Sequence, residues 1–283
     1  MVEKLKYDEY VIQIRHLEKK YGKHFGVKDV SFDVKKGEIF GFLGSNGAGK
    51  STTIRCLLGL IGYQKGEITL FEDEYDDLVE ELDHIGYMPS EAMFYPAMKV
   101  KNVIKLAAKM RGKDCREEAE RLIKLLDVPV HKKIEDLSTG NRKKVAIICA
   151  LQHQPELIIL DEPTSGLDPL MQERFFGLIK EACANGATCL LSSHNLSEVK
   201  NYCDRVAIIK EGEMVTVDNV EHLTHTLLRK VTVWKDGLQK TYDYTGSTKD
   251  LLKQLEEVQP DDVLIEEPSL ESLFMNFYKE EKA

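Results

Sequence analysis

Apolar residues in this chain follow two rhythms. Val11–Ile14 and Val30–Val34 alternate with polar neighbours and are bounded by turn residues, which predicts half-buried strands. Glu67–Phe71 reads as a further strand, and Ile39–Leu43 is a short apolar run that enters a glycine-rich loop. Leu157–Leu160, Thr188–Leu191 and Arg205–Ile209 are unbroken apolar runs, the pattern of parallel strands covered on both faces. Thr53–Leu60 has helical spacing, and a helix is predicted from about Asn141 to Gln152.

Between Asn102 and Leu126 the period changes. Val103, Leu106, Ala107 and Met110 recur at helical intervals, as do Ala119, Leu122, Ile123 and Leu126, with Lys, Arg and Glu on the remaining face. This predicts a charged helical section set inside an α/β chain, and the helical subdomain that holds it and the Asn141–Gln152 helix is expected over about residues 92–152. After about Glu221 the character shifts again. Val231–Trp234, Thr241–Tyr244 and Val263–Ile265 read as strands and Lys249–Glu257 as a helix. Leu270, Leu273, Phe274, Phe277 and Tyr278 space out an amphipathic terminal helix. The expected division is a main domain over 1–220 and a small α/β appendage over 221–283.

At 283 residues the chain can bury roughly three quarters of its unfolded surface without staples. No apolar run reaches 18 residues, the longest being Val145–Leu151, and the N-terminus carries no apolar signal region. A cytosolic chain is expected. None of the six cysteines forms a C-x-x-C pair, so reduced core thiols are expected. The net charge is −9 and lacks a basic stripe; from Lys230 onward 7 Lys face 12 Asp and Glu. That balance argues against binding nucleic acid through its backbone.

The chemistry gathers around "GSNGAGKST", residues Gly44, Ser45, Asn46, Gly47, Ala48, Gly49, Lys50, Ser51 and Thr52. It fits G-x-x-x-x-G-K-[ST] between a predicted strand and a predicted helix, the context of a P-loop. The glycines turn N–H groups onto a phosphate at a helix start. Lys50 would reach the β- and γ-phosphates, and the Ser51 hydroxyl would bind Mg2+. Asp161 and Glu162 follow the Leu157–Leu160 run, where doubly wound sheets gather ligands. Asp161 suits Mg2+; Glu162 suits the base that positions water. His194 ends the next apolar run and is a candidate partner of the γ-phosphate or its water. "LSTGNRKK" at Leu137–Lys144 puts Ser138 and Gly140 before a helix: either plain capping or a second anion site. Motif and alternation together predict a P-loop NTPase fold with a doubly wound, mainly parallel sheet, an inserted helical subdomain and the small C-terminal appendage.

In chain order these features resemble the ATP-binding subunit of an ABC transporter, from about Val11 to Asp218: Tyr21 at the adenine-stacking position, the Walker A loop, the "LSTGN" signature at Leu137–Asn141, the Walker B run Leu157–Glu162, the D-loop Ser165–Asp168 and the switch histidine His194. The resemblance adds an N-terminal antiparallel β subdomain to the expected fold and implies ATP and Mg2+ as cofactors. It also implies a head-to-tail pair, homo- or heteromeric, in which Ser138 and Gly140 of one chain complete the site of the other. It implies separate transmembrane permease subunits, which dock near Ser90–Val103 and hold the chain on the inner face of the cell membrane. Met93, Phe94, Tyr95 and Met98 are either that docking surface or core. A single cassette with a short acidic tail resembles subunits of bacterial drug, peptide and antibiotic exporters; the rival readings are a non-transport ABC ATPase and a regulatory ATP-binding module that does not hydrolyse. Two positions depart from the family. Ser90, kept as a candidate metal residue, stands with Glu91 after "IGYMP", where a longer glutamine is usual. Asn141 replaces the usual signature glutamine.

Overall fold

Why the site forms where it does follows from one sheet. The computed structural model describes residues 10–73, 75, 77–225 and 228–266. These divide into two compact units, up to Val217 and from Asp218. In the first, β1 (Tyr10–Tyr21) and β2 (His24–Lys35) form an antiparallel hairpin, each running well past the alternating residues that predict it. There follow β3 (Ile39–Leu43), α1 (Lys50–Leu57), β4 (Lys65–Leu70), α2 (Leu78–Asp83) and β5 (Ile85–Met88). Three helices come next: α3 (Val100–Met110), α4 (Arg116–Leu126) and α5 (Thr139–Leu151). The unit closes with β6 (Leu157–Asp161), α6 (Pro169–Ala184), β7 (Thr188–Ser193), α7 (Leu196–Tyr202), β8 (Arg205–Lys210) and β9 (Glu213–Asn219).

All nine strands join one sheet in the order β4-β1-β2-β9-β8-β3-β7-β6-β5. The expected antiparallel N-terminal part is therefore an extension of the main sheet. The stretch from β8 through β3, β7 and β6 to β5 is parallel, with Leu43 beside Ser193 and Asp161 beside Ser192. The carboxyl ends of β3, β6 and β7 thus open on one edge. Side chains alternate across β3: Phe40 and Phe42 join Phe32, Ile54 and Leu57 of α1 in the core, while a Cβ on Gly41 would meet Val199 of α7 at 2.9 Å. Helices cover both faces, the doubly wound arrangement that the apolar runs predict.

Helix α1 starts at Lys50 and ends at Leu57, displaced from the predicted Thr53–Leu60. Gly49 and Gly59 explain both ends. Gly49, at φ 114°, lets the chain turn straight into the helix, and Gly59, at φ 65°, takes it out. Helix α6 is absent from the hydrophobic-pattern prediction; Asp168 caps it, accepting from Met171 N–H at 3.0 Å, with Pro169 at its first turn. The charged section forms α3 and α4, which bury Val103, Ile104, Leu122 and Leu126.

The second unit holds α8 (Val220–His225), β10 (Leu228–Lys235), β11 (Leu238–Thr245), α9 (Thr248–Val258) and β12 (Asp262–Glu266). Its antiparallel sheet, ordered β11-β10-β12, packs Val231 and Val233 against Leu251 and Leu255 of α9. The helix expected over Leu270–Tyr278 lies outside the described residues. All six cysteines are free. Among the described residues no helix is long and apolar enough to cross a membrane.

Candidate functional site

The loop between β3 and α1 is shaped by contact with its neighbours. A Cβ on Gly44 would sit 2.6 Å from Ile209 O, and one on Gly49 would sit 2.6 Å from Gly26 O. Only glycine fits either place. Ser45, Asn46 and Gly47 are exposed, while Gly44, Ala48 and Lys50 are buried. No side chain caps the start of α1, so its first N–H groups face the loop's concave side. Lys50 lies across the loop. Its Nζ donates to Gly44 O at 2.6 Å and Ser45 O at 3.1 Å.

Three more groups reach the same corner from the sheet edge. Asp161, at the end of β6, is buried, and its Oδ1 accepts from Ser192 Oγ at 2.6 Å. Glu162 follows with φ 50°, an unusual conformation for a residue with a side chain. Both sides of its backbone are held. Its N–H donates to Ser192 O and Ser192 Oγ at 3.2 and 3.1 Å, and its carbonyl accepts from Lys143 Nζ at 2.7 Å. The Glu162 carboxylate is gripped from two directions. Oε2 lies 2.7 Å from His194 Nδ1, and an ionised carboxylate only accepts, so Nδ1 carries the proton. Oε1 stands 3.1 Å from Lys50 Nζ, an ion pair by distance whose angles fall short of a hydrogen bond, leaving that buried oxygen unfilled.

Tyr21 closes one side of the corner. It ends β1 half exposed, and a Cβ on Gly26 would meet both its ring at 2.9 Å and the Thr52 methyl at 3.1 Å. Ser90 lies two residues beyond β5, whose Met88 pairs with Leu160 next to Asp161. Ser138 and Gly140 are elsewhere. Ser138 caps α5, accepting from Asn141 N–H at 3.3 Å, and a Cβ on Gly140 would meet Gly166 O at 3.3 Å. The structure therefore gathers Gly44–Thr52, Asp161, Glu162 and His194, and keeps Ser138 and Gly140 beside the Ser165–Asp168 loop.

The pattern reading missed two residues. Lys143 looks like a solvated cation beside Lys144, yet it is buried, and burial pulls its ammonium below the ordinary lysine value while Glu162, Asp161 and Glu198 counter this. Nothing in the residue pattern marks it. Glu198 is buried too, accepting from Thr164 Oγ1 at 2.7 Å and Ser193 Oγ at 2.8 Å. A polar residue within the α7 sequence, just after His194, is the signal that points to it.

The stretch from Met93 to Met98 is partly exposed: Met93 is 87 % and Tyr95 73 % accessible. With Phe94, Met98, Leu106 and Met110 they line a groove of about 470 Å³.

A glycine loop between a parallel strand and a helix, with a buried lysine and two carboxylates at the end of β6, two strands across the sheet, defines a P-loop nucleoside triphosphatase. The family model described as ABC transporter matches residues 27–165. The chain is 37 % identical over 213 residues to the linearmycin resistance ATP-binding protein LnrL of Bacillus subtilis, covering 73 % of this chain and 68 % of that one. It is 34 % identical over 252 residues to the bacitracin transport ATP-binding protein BcrA of Enterococcus faecalis, 85 % of this chain and 82 % of that one. Among solved structures it matches the dimeric bacterial ABC transporter cassette MJ0796 with a TM-score of 0.64 at 25 % identity, covering 74 % of this chain and 98 % of that one. The chain belongs to the ABC transporter ATP-binding family: it is an ATP-binding subunit with the cassette's ATPase fold.

Proposed function

We propose that this chain hydrolyses ATP with Mg2+ as one half of a head-to-tail pair, and that the resulting closing and opening drives a separate membrane permease that exports a drug, peptide or antibiotic. The observation that carries the reading is the grip on Glu162 at the mouth of the loop, between Lys50 at 3.1 Å and His194 at 2.7 Å. The roles follow from reach and chemistry. Residues Gly44 to Thr52 cradle the phosphates. Lys50 exchanges its two carbonyl partners for β- and γ-phosphate oxygens. Glu162, freed from Lys50, orients the attacking water, and His194 exchanges Glu162 for the γ-phosphate as the acceptor of its ring N–H. Tyr21 stacks on adenine. Ser138 and Gly140 meet the γ-phosphate held by the partner chain.

The donor set suits Mg2+. Ser51 offers a hydroxyl, Asp161 one buried carboxylate, and Ser90 a further hydroxyl near the β5 end. Among the described residues no group of three His, Cys, Asp or Glu is placed to hold a metal alone. Mg2+ beside phosphates is held in this sparse way, by one or two protein oxygens, phosphate and water. When bound, it offsets charge on the β- and γ-phosphates.

The groove of Met93, Tyr95 and Met110 supports a permease contact, since exposed apolar patches of this kind mark partners. On this reading the chain works at the cytoplasmic face of the membrane. Export is supported by the linearmycin resistance and bacitracin transport proteins it is similar to. The test is ATP turnover by the purified full chain. We expect EDTA to stop it, and Glu162→Gln to lower kcat by roughly 10²–10⁴-fold while ATP still binds. Turnover that survives Glu162→Gln would overturn the mechanism. Affinity capture from membranes should recover a multi-spanning protein; its absence would overturn the transport coupling.

A further inference from the structure

We propose that Lys143 is a positioning residue that ties the signature helix α5 to Glu162, and so links the two ATP sites of the pair. The proposal rests on the head-to-tail reading above and deepens it.

Lys143 is 5 % exposed, on the second turn of α5. Its Nζ donates to Glu162 O at 2.7 Å and approaches Pro163 O at 3.4 Å. Among the described residues it makes no ion pair, although Asp161, Glu162 and Glu198 all act on its charge. Burying an ammonium without a carboxylate partner is unfavourable for stability, and a methionine of similar length would fill the space. What Lys143 adds is a hold on the carbonyl of a residue in a strained conformation. The φ of Glu162 is 50°, and such residues persist where their surroundings over-determine them.

The two holds on Glu162 come from different elements. Ser192, which grips the N–H, belongs to β7 in the middle of the sheet. Lys143, which grips the carbonyl, belongs to α5, whose start at Ser138 is exposed. A displacement of α5 pulls on the carbonyl side of Glu162, while Ser192 holds its N–H side. In a head-to-tail pair, Ser138 touches the ATP in the partner's loop, whereas Glu162 serves the ATP in its own. A signal entering at Ser138 therefore travels along α5, through Lys143, to the base of the opposite site. Coupling of this kind makes each site's turnover depend on occupancy of the other.

The test compares Lys143→Met and Lys143→Arg in the full chain. We expect Lys143→Met to lower kcat by roughly 10–100-fold, the scale of a misplaced catalytic group. KM should stay within about 2-fold, and the dependence of rate on ATP should pass from sigmoidal to hyperbolic. The melting temperature should hold or rise. Lys143→Arg, which still donates, should recover most of the rate. A Lys143→Met protein with wild-type kcat and sigmoidal kinetics would overturn the proposal. So would a kcat loss matched by a lower melting temperature that Lys143→Arg does not relieve, or hyperbolic kinetics in the wild type. ATP-driven pairing of the Glu162→Gln chain, measured separately, tells the two failures apart. Pairing with no Lys143 effect removes only this link; no pairing removes the head-to-tail reading and the link with it.

Discussion

On the proposed reading the start of α1 and the start of α5 each meet a phosphate, yet they are furnished differently. At α1 no side chain caps the helix, and a buried lysine and two carboxylates stand behind it. At α5 the Ser138 hydroxyl already takes an N–H, and the nearby cations turn away. Arg142 donates back to Ile134 O and Glu135 O, and Lys143 points into the protein at Glu162 O. A helix start alone attracts an anion only weakly, about 0.3–1 kcal/mol. On the proposed reading the first grips a nucleotide within one chain, and the second meets only a phosphate that the partner's loop already holds.

That contrast breaks most directly at Ser138. Replacing it with arginine should cut ATP turnover by roughly 10²–10³-fold, the scale of losing one donor to a transition-state oxygen. ATP binding to the single chain, measured by fluorescence titration, should stay within about 2-fold. If binding falls as far as turnover, the two helix starts serve one pocket and the contrast is wrong.

The far end of α5 sharpens it with a smaller effect. His153 is buried there, its Nε2 lies 3.3 Å from Ile85 O, and its Nδ1 has no partner. Burial, helped by nearby Arg111, lowers its pKa from 6.5 to about 4. The unfolded chain takes up this proton below about pH 6.5, and the folded chain only near pH 4. The stability is therefore whole above pH 6.5 and declines as pH falls from 6.5 to 4, by up to about 3 kcal/mol. Denaturant melts at both ends of that window should show His153→Gln flattening this part of the decline. An unchanged slope would mean the α5 anchor does not titrate there.

The smallest effect is expected at the open side of the P-loop site. Tyr21 is 48 % exposed, so Tyr21→Ala should raise the ATP KM about 5–10-fold and leave kcat within about 2-fold, as stacking on a partly open base implies. A collapse of kcat at constant KM would remove its stacking role.

How much of this was legible along the chain depended on whether the cause was local. Ile39–Leu43 reads to the residue, because a strand buried on both faces shows as an unbroken apolar run. The loop reads equally well, since its glycines answer to backbone shape. The ends of α1 did not, because a glycine that starts a helix without capping it leaves no polar residue to mark the position. Hairpin strands β1 and β2 outran their alternating cores: pairing along the hairpin carries Lys19 and Lys20 into strand against weak local preference, and Tyr21 with them. Helix α6 was legible in Asp168-Pro169 and went unread because its apolar residues do not fall into one narrow stripe. Lys143 lay beyond reach altogether. A lysine in a basic stretch reads as solvated, and only the passage of α5 beneath Glu162 puts it inside.

The phosphate loop has little latitude of its own. Ile209 O fills the space a side chain on Gly44 would need, and Gly26 O does the same at Gly49, so a strand late in the chain and one near its beginning act as the two halves of a mould. The shape of the phosphate loop therefore depends on backbone outside the motif. A shift of a few tenths of an ångström in β8 or β2 would deform the cradle while every residue of the motif stayed in place.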